Sequence, residues 1–326
     1  MRAAVCRTYG PPEELRIEDL PEPVPGPGQV VVAVHAAAVN FPDVLILANR
    51  YQVSVPLPFS PGSEFAGVVA AVGPGVDSPR PGDRVFGAAF VGAFAERIAV
   101  PASSLTVLPD GADLAAAAAF GVVYATAYNA LRSTAVLRTG ETLLVLGAAG
   151  GVGLAAVDLG SLLGARVIAA ASTEEKLAAC RKRGADATVD TSREALKDRV
   201  KELTGGRGVD VVLDPVGGAL AEQAIRATGW RGRYVAVGFA SGEIPRIPLN
   251  LLLLKGSELR AFNLAPFLTN EPEEYRRNQA ELLELFLAGR IRPLISATYA
   301  LADTAQALHD IAARRAIGKL VIDPRR

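Results

Sequence analysis

Short apolar segments separated by proline and glycine make up the first 110 residues of the chain. Within them, apolar and polar residues alternate, or a brief apolar run is bounded by turn residues. The segments are residues 29–34, 67–72, 84–86 and 95–100, and the turns are residues 25–28, 73–75 and 81–83. Strands at this spacing predict an all-β barrel or sandwich.

From residue 113 onward, strand-length apolar runs alternate with segments of helical periodicity. Asp113 is a predicted N-cap for a helix beginning at residue 114, and a second helix is predicted at residues 125–131. Further strands are predicted at residues 142–146, 166–170, 187–190, 209–213, 233–237, 259–262 and 319–322, and further helices at 152–163, 174–183, 193–203, 219–227, 274–288 and 304–313. This alternation predicts βαβ units and a parallel sheet. A chain of 326 residues in this pattern is expected to be an α/β protein of two domains.

Charge and cysteine content narrow the possible functions. The 34 basic residues equal the 34 acidic residues and form no basic block, so no nucleic-acid or anionic-membrane partner is expected. The leucine run at residues 251–254 is too short to span a bilayer, and the N-terminal residues show no signal-peptide pattern. Cys6 and Cys180 lie far apart and imply no disulfide framework. We therefore expect a cytoplasmic protein.

A glycine-rich segment, VLGAAGGVGLAA at residues 145–156, follows a predicted strand and opens a predicted helix. Glycines allow a tight turn and a close backbone approach, and the free N–H groups of the helix suit a pyrophosphate. Gly150, Gly151 and Val152 are therefore candidate contacts for a dinucleotide cofactor. The alternative is a plain glycine-rich turn, but this segment lies within a series of βαβ units.

The end of the second predicted strand of this series bears on the choice of dinucleotide. Proteins that bind NAD usually carry an Asp or Glu there, to bond the ribose 2′-OH. Here the strand ends in alanines followed by Ser172, Thr173 and, one turn later, Lys176. These groups suit a 2′-phosphate and favour NADPH as the cofactor. Ser172 and Glu175 also match a capping box, which is compatible with that role.

Six motifs, in order along nearly the whole chain, are NFPDVL (40–45), PGSEFAG (61–67), VGPGVDSPRPGDRV (72–85), GAAGGVG (147–153), STEEK (172–176) and GKLVI (318–322). They resemble the medium-chain dehydrogenase/reductases, in the zinc-free quinone oxidoreductase branch. The resemblance implies a GroES-like β-barrel domain at residues 1–121 and 267–326, and a Rossmann domain with a doubly wound parallel sheet at residues 122–266. It also implies an active site in the cleft, and homodimers joined through Rossmann sheet edges, which the apolar strand at 259–262 suits.

The zinc ligands of the related dehydrogenases are missing from this sequence. Asn40 stands where zinc-dependent members place a Cys, and Ser63 where they place a His; both are poor ligands for zinc. Two cysteines cannot supply the four of the structural zinc site, and residues 86–100 are too few to hold that lobe. No metal is therefore expected. Glu64 is interpreted as a framework carboxylate paired with an arginine or with backbone N–H groups; the alternative is a partly solvated turn residue.

Without a metal, the acceptor of a hydride must be electrophilic by itself, as quinones and α,β-unsaturated carbonyls are. Polar groups would then orient the acceptor and stabilise charge developing on its oxygen. The resemblance identifies Asn40 and Tyr51 as the candidate catalytic residues. The alternatives are that Asn40 caps the helix that follows it, and that Tyr51 packs in a loop.

Further cofactor contacts are implied by the resemblance. Thr126 matches a position that touches the nicotinamide ribose or carboxamide, and a buried helix threonine is the alternative. Gly238, Phe239 and Phe262 follow strands whose ends approach the nicotinamide in the family. Asn40 is included among these cofactor contacts.

Three functions are compatible with these features. The first is an NADPH:quinone oxidoreductase that is independent of zinc. The second is an NADPH-dependent reductase of double bonds in enones or enoyl thioesters, with Tyr51 as proton donor. The third is a binding or structural role without catalysis, which related crystallins and vesicle-membrane proteins illustrate.

Overall fold

The computed structural model describes all 326 residues, with fifteen strands and ten α-helices. The strands are β1 (Arg2–Val5), β2 (Arg16–Asp19), β3 (Gln29–Val39), β4 (Glu64–Val72), β5 (Arg84–Ala88), β6 (Arg97–Pro101), β7 (Leu105–Leu108), β8 (Thr142–Val145), β9 (Arg166–Ala171), β10 (Ala187–Asp190), β11 (Val209–Asp214), β12 (Thr228–Ala236), β13 (Glu258–Ala261), β14 (Ile295–Ala300) and β15 (Lys319–Asp323). The helices are α1 (Phe41–Leu47), α2 (Leu114–Asn129), α3 (Gly151–Leu162), α4 (Glu174–Lys182), α5 (Leu196–Leu203), α6 (Ala219–Ala227), α7 (Asn250–Lys255), α8 (Leu264–Asn270), α9 (Pro272–Leu287) and α10 (Thr304–Ala312).

The chain divides into two compact units. The first comprises Met1–Val122 and Pro293–Arg326, and the second comprises Val123–Arg292. The predicted boundary at residue 121 lies one residue from the first division, but the predicted boundary at residue 266 lies well before the second. Residues 267–292 belong to the second unit because α9 is bonded to it: the Asn278 amide donates to Asn129 at 2.7 Å and to Ser133 at 3.1 Å.

The first unit is built on a seven-stranded sheet. Its strand order is β14–β15–β3–β4–β5–β7, and β6 also pairs with β3. The neighbouring strands are antiparallel except for β14 and β15. The central strand β3 extends to Val39, beyond the predicted end at residue 34, because the small residues after His35 remain buried between its neighbours. Leu47 of α1, Phe65 of β4 and Leu308 of α10 lie in the core of this unit.

The second unit has a six-stranded sheet of order β10–β9–β8–β11–β12–β13, in which every pair is parallel. The chain reverses its direction across the sheet between β8 and β11. In an open parallel sheet, ligands bind beyond the carboxyl ends of the strands at such a reversal. The predicted βαβ units are therefore present, and their loops lie at one edge of this sheet.

Helix α2 is one continuous helix, where two separate helices were predicted. It is extended by a π-helical turn at Ala130–Thr134. The combined stretch Leu114–Thr134 is long and apolar enough to cross a membrane, but 78% of its most apolar window is buried inside the protein. A buried core helix passes the same test of length and composition, so this helix is weak support for a membrane span.

Candidate nucleotide-binding loop and buried polar cluster

The loop between β8 and α3 has the backbone geometry that its glycines predict. Gly147 adopts a φ of +54°, which favours glycine. A Cβ atom on Gly153 would lie 2.2 Å from the Gly147 carbonyl oxygen, so no side chain fits there. Gly150 is the N-cap of α3 and provides no side-chain cap, which leaves the first N–H groups of the helix directed at the loop. The loop therefore fits a bound pyrophosphate.

The end of β9 carries polar groups and no acid. Thr173, not Ser172, is the N-cap of α4, because its hydroxyl accepts the Lys176 N–H at 3.3 Å. The predicted capping box of Ser172 and Glu175 is therefore wrong, and the Ser172 side chain is exposed without that role. Glu174 forms an ion pair with Arg181, which directs the first acid of α4 toward its own helix.

A further loop, after β11, lies on the side of β8 opposite to β9 and has no predicted role. Asp214 ends β11, and its carboxylate accepts the Val216 N–H at 2.6 Å and the Gly217 N–H at 2.9 Å. The Tyr234 hydroxyl donates to the second carboxylate oxygen. Burial raises the pKa of Asp214, and the Tyr234 hydrogen bond acts against that shift. The sequence signal was the Asp-Pro-Val-Gly-Gly run that follows an apolar strand.

This loop contacts two of the predicted cofactor segments. A Cβ atom on Gly147 would lie 2.6 Å from Val216 Cγ2, and one on Gly217 would lie 2.8 Å from the Phe239 ring. Gly238 approaches Pro215, with 3.4 Å between the Pro215 carbonyl oxygen and a Cβ placed on the glycine. The loops after β8, β11 and β12 therefore form one continuous edge of the second unit.

The other predicted cofactor residues of this unit differ in accessibility. Phe262 is buried and packs against Phe267, with 5.3 Å between ring centroids. Thr126 is a buried residue of α2, which agrees with the alternative prediction of a buried helix threonine. Phe239 is exposed at the sheet edge. Of the three, Phe239 offers the most side-chain surface to a ligand.

In the first unit, Glu64 lies at the centre of a buried polar cluster with Asn40, Asp43 and Lys319. The Glu64 side chain is 1% exposed and that of Lys319 is 3% exposed, and their charged atoms are 3.3 Å apart. Glu64 also accepts the Asn40 amide at 3.1 Å and the Val122 N–H at 2.5 Å. The predicted framework role of Glu64 agrees with these contacts, but its ionic partner is a lysine rather than an arginine.

Lys319 connects this cluster to the end of β3. Its ammonium group donates to the Val39 carbonyl at 3.0 Å and to Asn40 Oδ1 at 2.6 Å, in addition to Glu64. All three of its N–H bonds therefore have acceptors. This lysine belongs to the GKLVI motif, which by itself predicts no role for it.

Asn40 is the N-cap residue of α1, as its alternative interpretation proposed. Its backbone N–H donates to Asp43 Oδ2 at 2.8 Å, and its carbonyl accepts the Asp43 N–H at 3.1 Å. Its side-chain oxygen accepts from Lys319, while its amide nitrogen donates to Glu64 and, at 3.5 Å, to the Ala38 carbonyl. The Asn40 amide is thus held on both sides by the protein.

Asp43 has an unusual environment for a carboxyl group. It is buried, and burial raises its pKa to about 7 despite the lowering effects of the Asn40 N–H, the Lys319 ammonium and the Ser63 hydroxyl. Oδ1 makes no hydrogen bond of good geometry. A protonated Asp43 leaves the charges of Glu64 and Lys319 balanced within the cluster.

Tyr51 lies beyond the C-terminus of α1 and is half-buried. Its ring contacts that of Phe90, with 6.1 Å between centroids and 44° between planes. No protein group is hydrogen-bonded to its hydroxyl. Of the two predicted catalytic side chains, Tyr51 is therefore the one whose polar group is available to a ligand.

No group of three or more His, Cys, Asp or Glu side chains in the protein has the arrangement of a metal site. Ser63 and Asn40, which stand at the sequence positions of zinc ligands in the related dehydrogenases, both lie beside Asp43. The carboxyl groups of Asp43 and Glu64 at this place are already bonded to Asn40 and Lys319. The remaining groups are an amide, a hydroxyl and an ammonium, which are unsuited to zinc.

Comparison with known proteins places both units in described families. Residues 26–110 match the alcohol dehydrogenase GroES-like domain, and residues 151–283 match the zinc-binding dehydrogenase family. The chain is 40% identical to quinone oxidoreductase-like protein 2 homolog of Nematostella vectensis, covering 99% of this chain and 88% of that protein. It is 38% identical to a quinone oxidoreductase of Pseudomonas aeruginosa, covering 97% of each.

Among solved structures, the quinone oxidoreductase of Escherichia coli complexed with NADPH has a TM-score of 0.93, with 30% identity over 99% of this chain and all of the other. These matches confirm the predicted fold, a GroES-like domain together with a Rossmann domain. The chain belongs to the medium-chain dehydrogenase/reductase family, among its quinone oxidoreductase-like members.

Proposed function

We propose that this protein is an NADPH-dependent oxidoreductase that reduces quinones without a metal ion. The observation that carries the proposal is the buried cluster of Glu64, Lys319 and Asn40. Asn40 stands at one of the positions where zinc-dependent relatives carry a metal ligand, and the cluster around it satisfies its own charges and hydrogen bonds. The acceptor must then be electrophilic without Lewis-acid assistance, which favours a quinone over a simple ketone.

The residues of the second unit fit NADPH. The N-terminus of α3 and the glycines before it would hold the pyrophosphate, through Gly150, Gly151 and Val152. Ser172, Thr173 and Lys176 would hold the 2′-phosphate, because the tip of β9 presents hydroxyl groups and a lysine rather than a carboxylate. When bound, NADPH supplies the hydride. Thr126, Gly238, Phe239 and Phe262 are proposed to orient its nicotinamide.

The first unit supplies the proposed acceptor contacts. Tyr51 offers a hydroxyl to the acceptor oxygen and its ring, with that of Phe90, offers an apolar surface to a flat acceptor. Asn40 is assigned a positioning role, because Lys319 and Glu64 already hold its amide. It fixes the start of α1 and thereby the segment that carries Tyr51.

The alternative function is reduction of the double bond in an enone or enoyl thioester. It is favoured by the Tyr51 hydroxyl, which no protein group binds, because a phenol can act as a proton donor to an enolate. Such a reaction needs an acid at the substrate α-carbon, whereas a reduced quinone can take its protons from water.

Oxidation of NADPH by chelator-treated protein tests both functions. It should be measured with a simple quinone and with an enone or 2-enoyl thioester, and with NADH in parallel. Quinone turnover that survives chelation and changes little in Tyr51→Phe supports the proposal. Turnover only with the conjugated carbonyl, lost in Tyr51→Phe, assigns the alternative. Tight NADPH binding without turnover of either acceptor would overturn both and favour a binding role.

We also propose that the protein is a cytoplasmic homodimer joined through the free edge of β13. Leu259 on this strand is half-exposed, and Trp230 and Leu253 nearby are 74% and 82% exposed. An unpaired strand edge with exposed apolar side chains beside it favours pairing with a second copy. Sedimentation of Leu259→Lys should show a monomer where the wild-type protein is a dimer.

A further inference from the structure

A cavity of about 320 Å³ in the first unit is lined by basic side chains. Arg84 on β5, His35 on β3, and Arg325 and Arg326 after β15 contribute to its walls. None of the residues proposed above to bind NADPH or the acceptor lines it. Asp323, at the end of β15, is the one carboxylate among the lining residues.

Asp323 does not neutralise the cavity. Its carboxylate accepts two hydrogen bonds from the Arg325 guanidinium, both at 2.9 Å, and lies 3.4 Å from Arg326. These bonds hold the pKa of Asp323 below its ordinary value, so the residue is ionised. Among the side chains of the lining, three arginines against one carboxylate give a net charge of about +2 at neutral pH.

Arg84 is the fixed donor of the cavity. One of its terminal nitrogens donates to the Ala112 carbonyl at 2.6 Å, which anchors the guanidinium. Its Nε is buried and has no hydrogen-bond partner within the protein. The Ala112 bond uses one of the five N–H donors of the guanidinium, so Arg84 is held in place with terminal donors left for a ligand.

His35 lies close to the positive charges of Arg325 and Arg84. Its Nδ1 lies 3.2 Å from an Arg325 nitrogen, and since arginine only donates, Nδ1 is the acceptor and the ring is neutral. Burial lowers the pKa of His35, and the charges of Arg325 and Arg84 lower it further. The other ring nitrogen of a neutral imidazole carries a proton, which makes it a donor.

The helix that begins beside the cavity adds little to this site. Leu114 and Ala115 of α2 line the cavity, but Asp113 already accepts the N–H groups of Ala115 and Ala116. The positive character of the cavity therefore comes from the side chains.

From the anchored Arg84, the neighbouring arginines and the neutral His35, we propose that this cavity binds a small phosphate-bearing anion. Guanidinium groups match the oxygen geometry of phosphate, and a phosphate monoester carries about −1.5 to −2 charges near neutral pH, which balances the lining. The volume exceeds that of one water-sized site many times over and leaves room for an organic group on the phosphate. Inorganic phosphate and a phosphate monoester share the recognised chemistry.

The ring signals of His35 provide the test, because the chain has only one other histidine, His309 on α10. The full-length protein with labelled histidine is titrated by NMR with inorganic phosphate, with glycerol phosphate, and with sodium chloride at matched ionic strength. We expect a saturable shift of the His35 signal with one or both phosphates, together with a rise in its pKa, and no matching shift at His309. A tighter response to glycerol phosphate assigns a monoester, and an equal response assigns free phosphate.

Substitutions that each remove one arginine charge, inside or outside the cavity, show whether the cavity is the place where phosphate binds. Arg84→Gln and Arg326→Gln should each weaken phosphate binding about tenfold or more. Arg80→Gln, which removes the same charge from an exposed turn of this unit, should leave binding within about twofold. Arg326 makes only a long ion pair with Asp323, so its variant remains informative if the Arg84 variant is unstable. Equal shifts with chloride, no response at His35, or equal weakening by Arg80→Gln would each overturn the proposal.

Discussion

Replacing Asp43 by asparagine should remove a pH dependence from the stability of the first unit. The folded protein holds the proton of Asp43 to about pH 7, whereas the unfolded chain releases it near the ordinary pKa of 3.8. Stability from this group is therefore fully present below pH 3.8 and is lost as the pH rises to about 7. The asparagine side chain stays neutral throughout and can still accept the Asn40 N–H with its oxygen.

The size of the effect follows from the two pKa values. A difference of about three units corresponds to about 4 kcal/mol, at 1.36 kcal/mol for each unit. About 3 kcal/mol of this falls between pH 5 and pH 8. The free energy of unfolding of Asp43→Asn, measured relative to that of the wild-type protein, should therefore rise by about 3 kcal/mol between pH 5 and pH 8. Loss of the carboxylate can also change stability by an amount that does not depend on pH, and this leaves the rise unaffected.

Denaturant unfolding followed by circular dichroism at several pH values measures this gain. Asp77→Asn is the matched control, since Asp77 lies on an exposed turn of the same unit. The difference in free energy of unfolding between Asp77→Asn and the wild-type protein should stay constant with pH. A constant difference for Asp43→Asn would refute the reasoning, because it would mean that Asp43 ionises in the folded protein as readily as in the unfolded chain.

Three further predictions test the cluster and the nucleotide site. Lys319→Met should lower the free energy of unfolding, measured with denaturant, by about 3–5 kcal/mol, because it leaves the buried Glu64 charge unpaired. Adding Glu64→Gln should recover much of the loss. A loss below about 1 kcal/mol would contradict the pairing of Lys319 with Glu64. Gly153→Ala should disturb the loop and abolish NADPH binding measured by cofactor fluorescence, whereas Gly150→Ala, with 3.4 Å to the nearest atom, should keep the fold and only weaken binding. Lys176→Gln should raise the Kd for NADPH about tenfold more than that for NADH, and equal changes would argue against contact with the 2′-phosphate.

The nucleotide loop could be predicted from sequence because its determinants are local. Gly147 and Gly153 are six residues apart, and the close contact between them forms within one strand–turn–helix unit. The predicted N-cap of α4, Ser172, lies one residue before the observed one, Thr173. Ser172 and Thr173 both fit a capping pattern, and the choice depends on β9 ending at Ala171, which a short pattern does not specify.

The buried cluster could be only partly predicted, because its contacts join residues far apart along the chain. Lys319 lies 279 residues from Asn40 and 255 residues from Glu64. Its place follows from the antiparallel pairing of β15 with β3, in which Leu320 lies opposite Val39. A shift of one residue in that register would turn the lysine to the other face of the sheet. Sequence periodicity indicates a strand at this position but not the register.

The burial of Glu64 depends on a glycine in α2. A Cβ atom on Gly121 would lie 3.1 Å from Glu64 Oε1, so glycine lets the helix backbone approach the carboxylate. The Val122 N–H then donates to that oxygen, while Asn40 and Lys319 complete the other. Gly121 is thus the residue that allows the helix to bind Glu64. Because an unpaired buried carboxylate would cost several kcal/mol, the contact explains why the glutamate between two glycines can be buried at all.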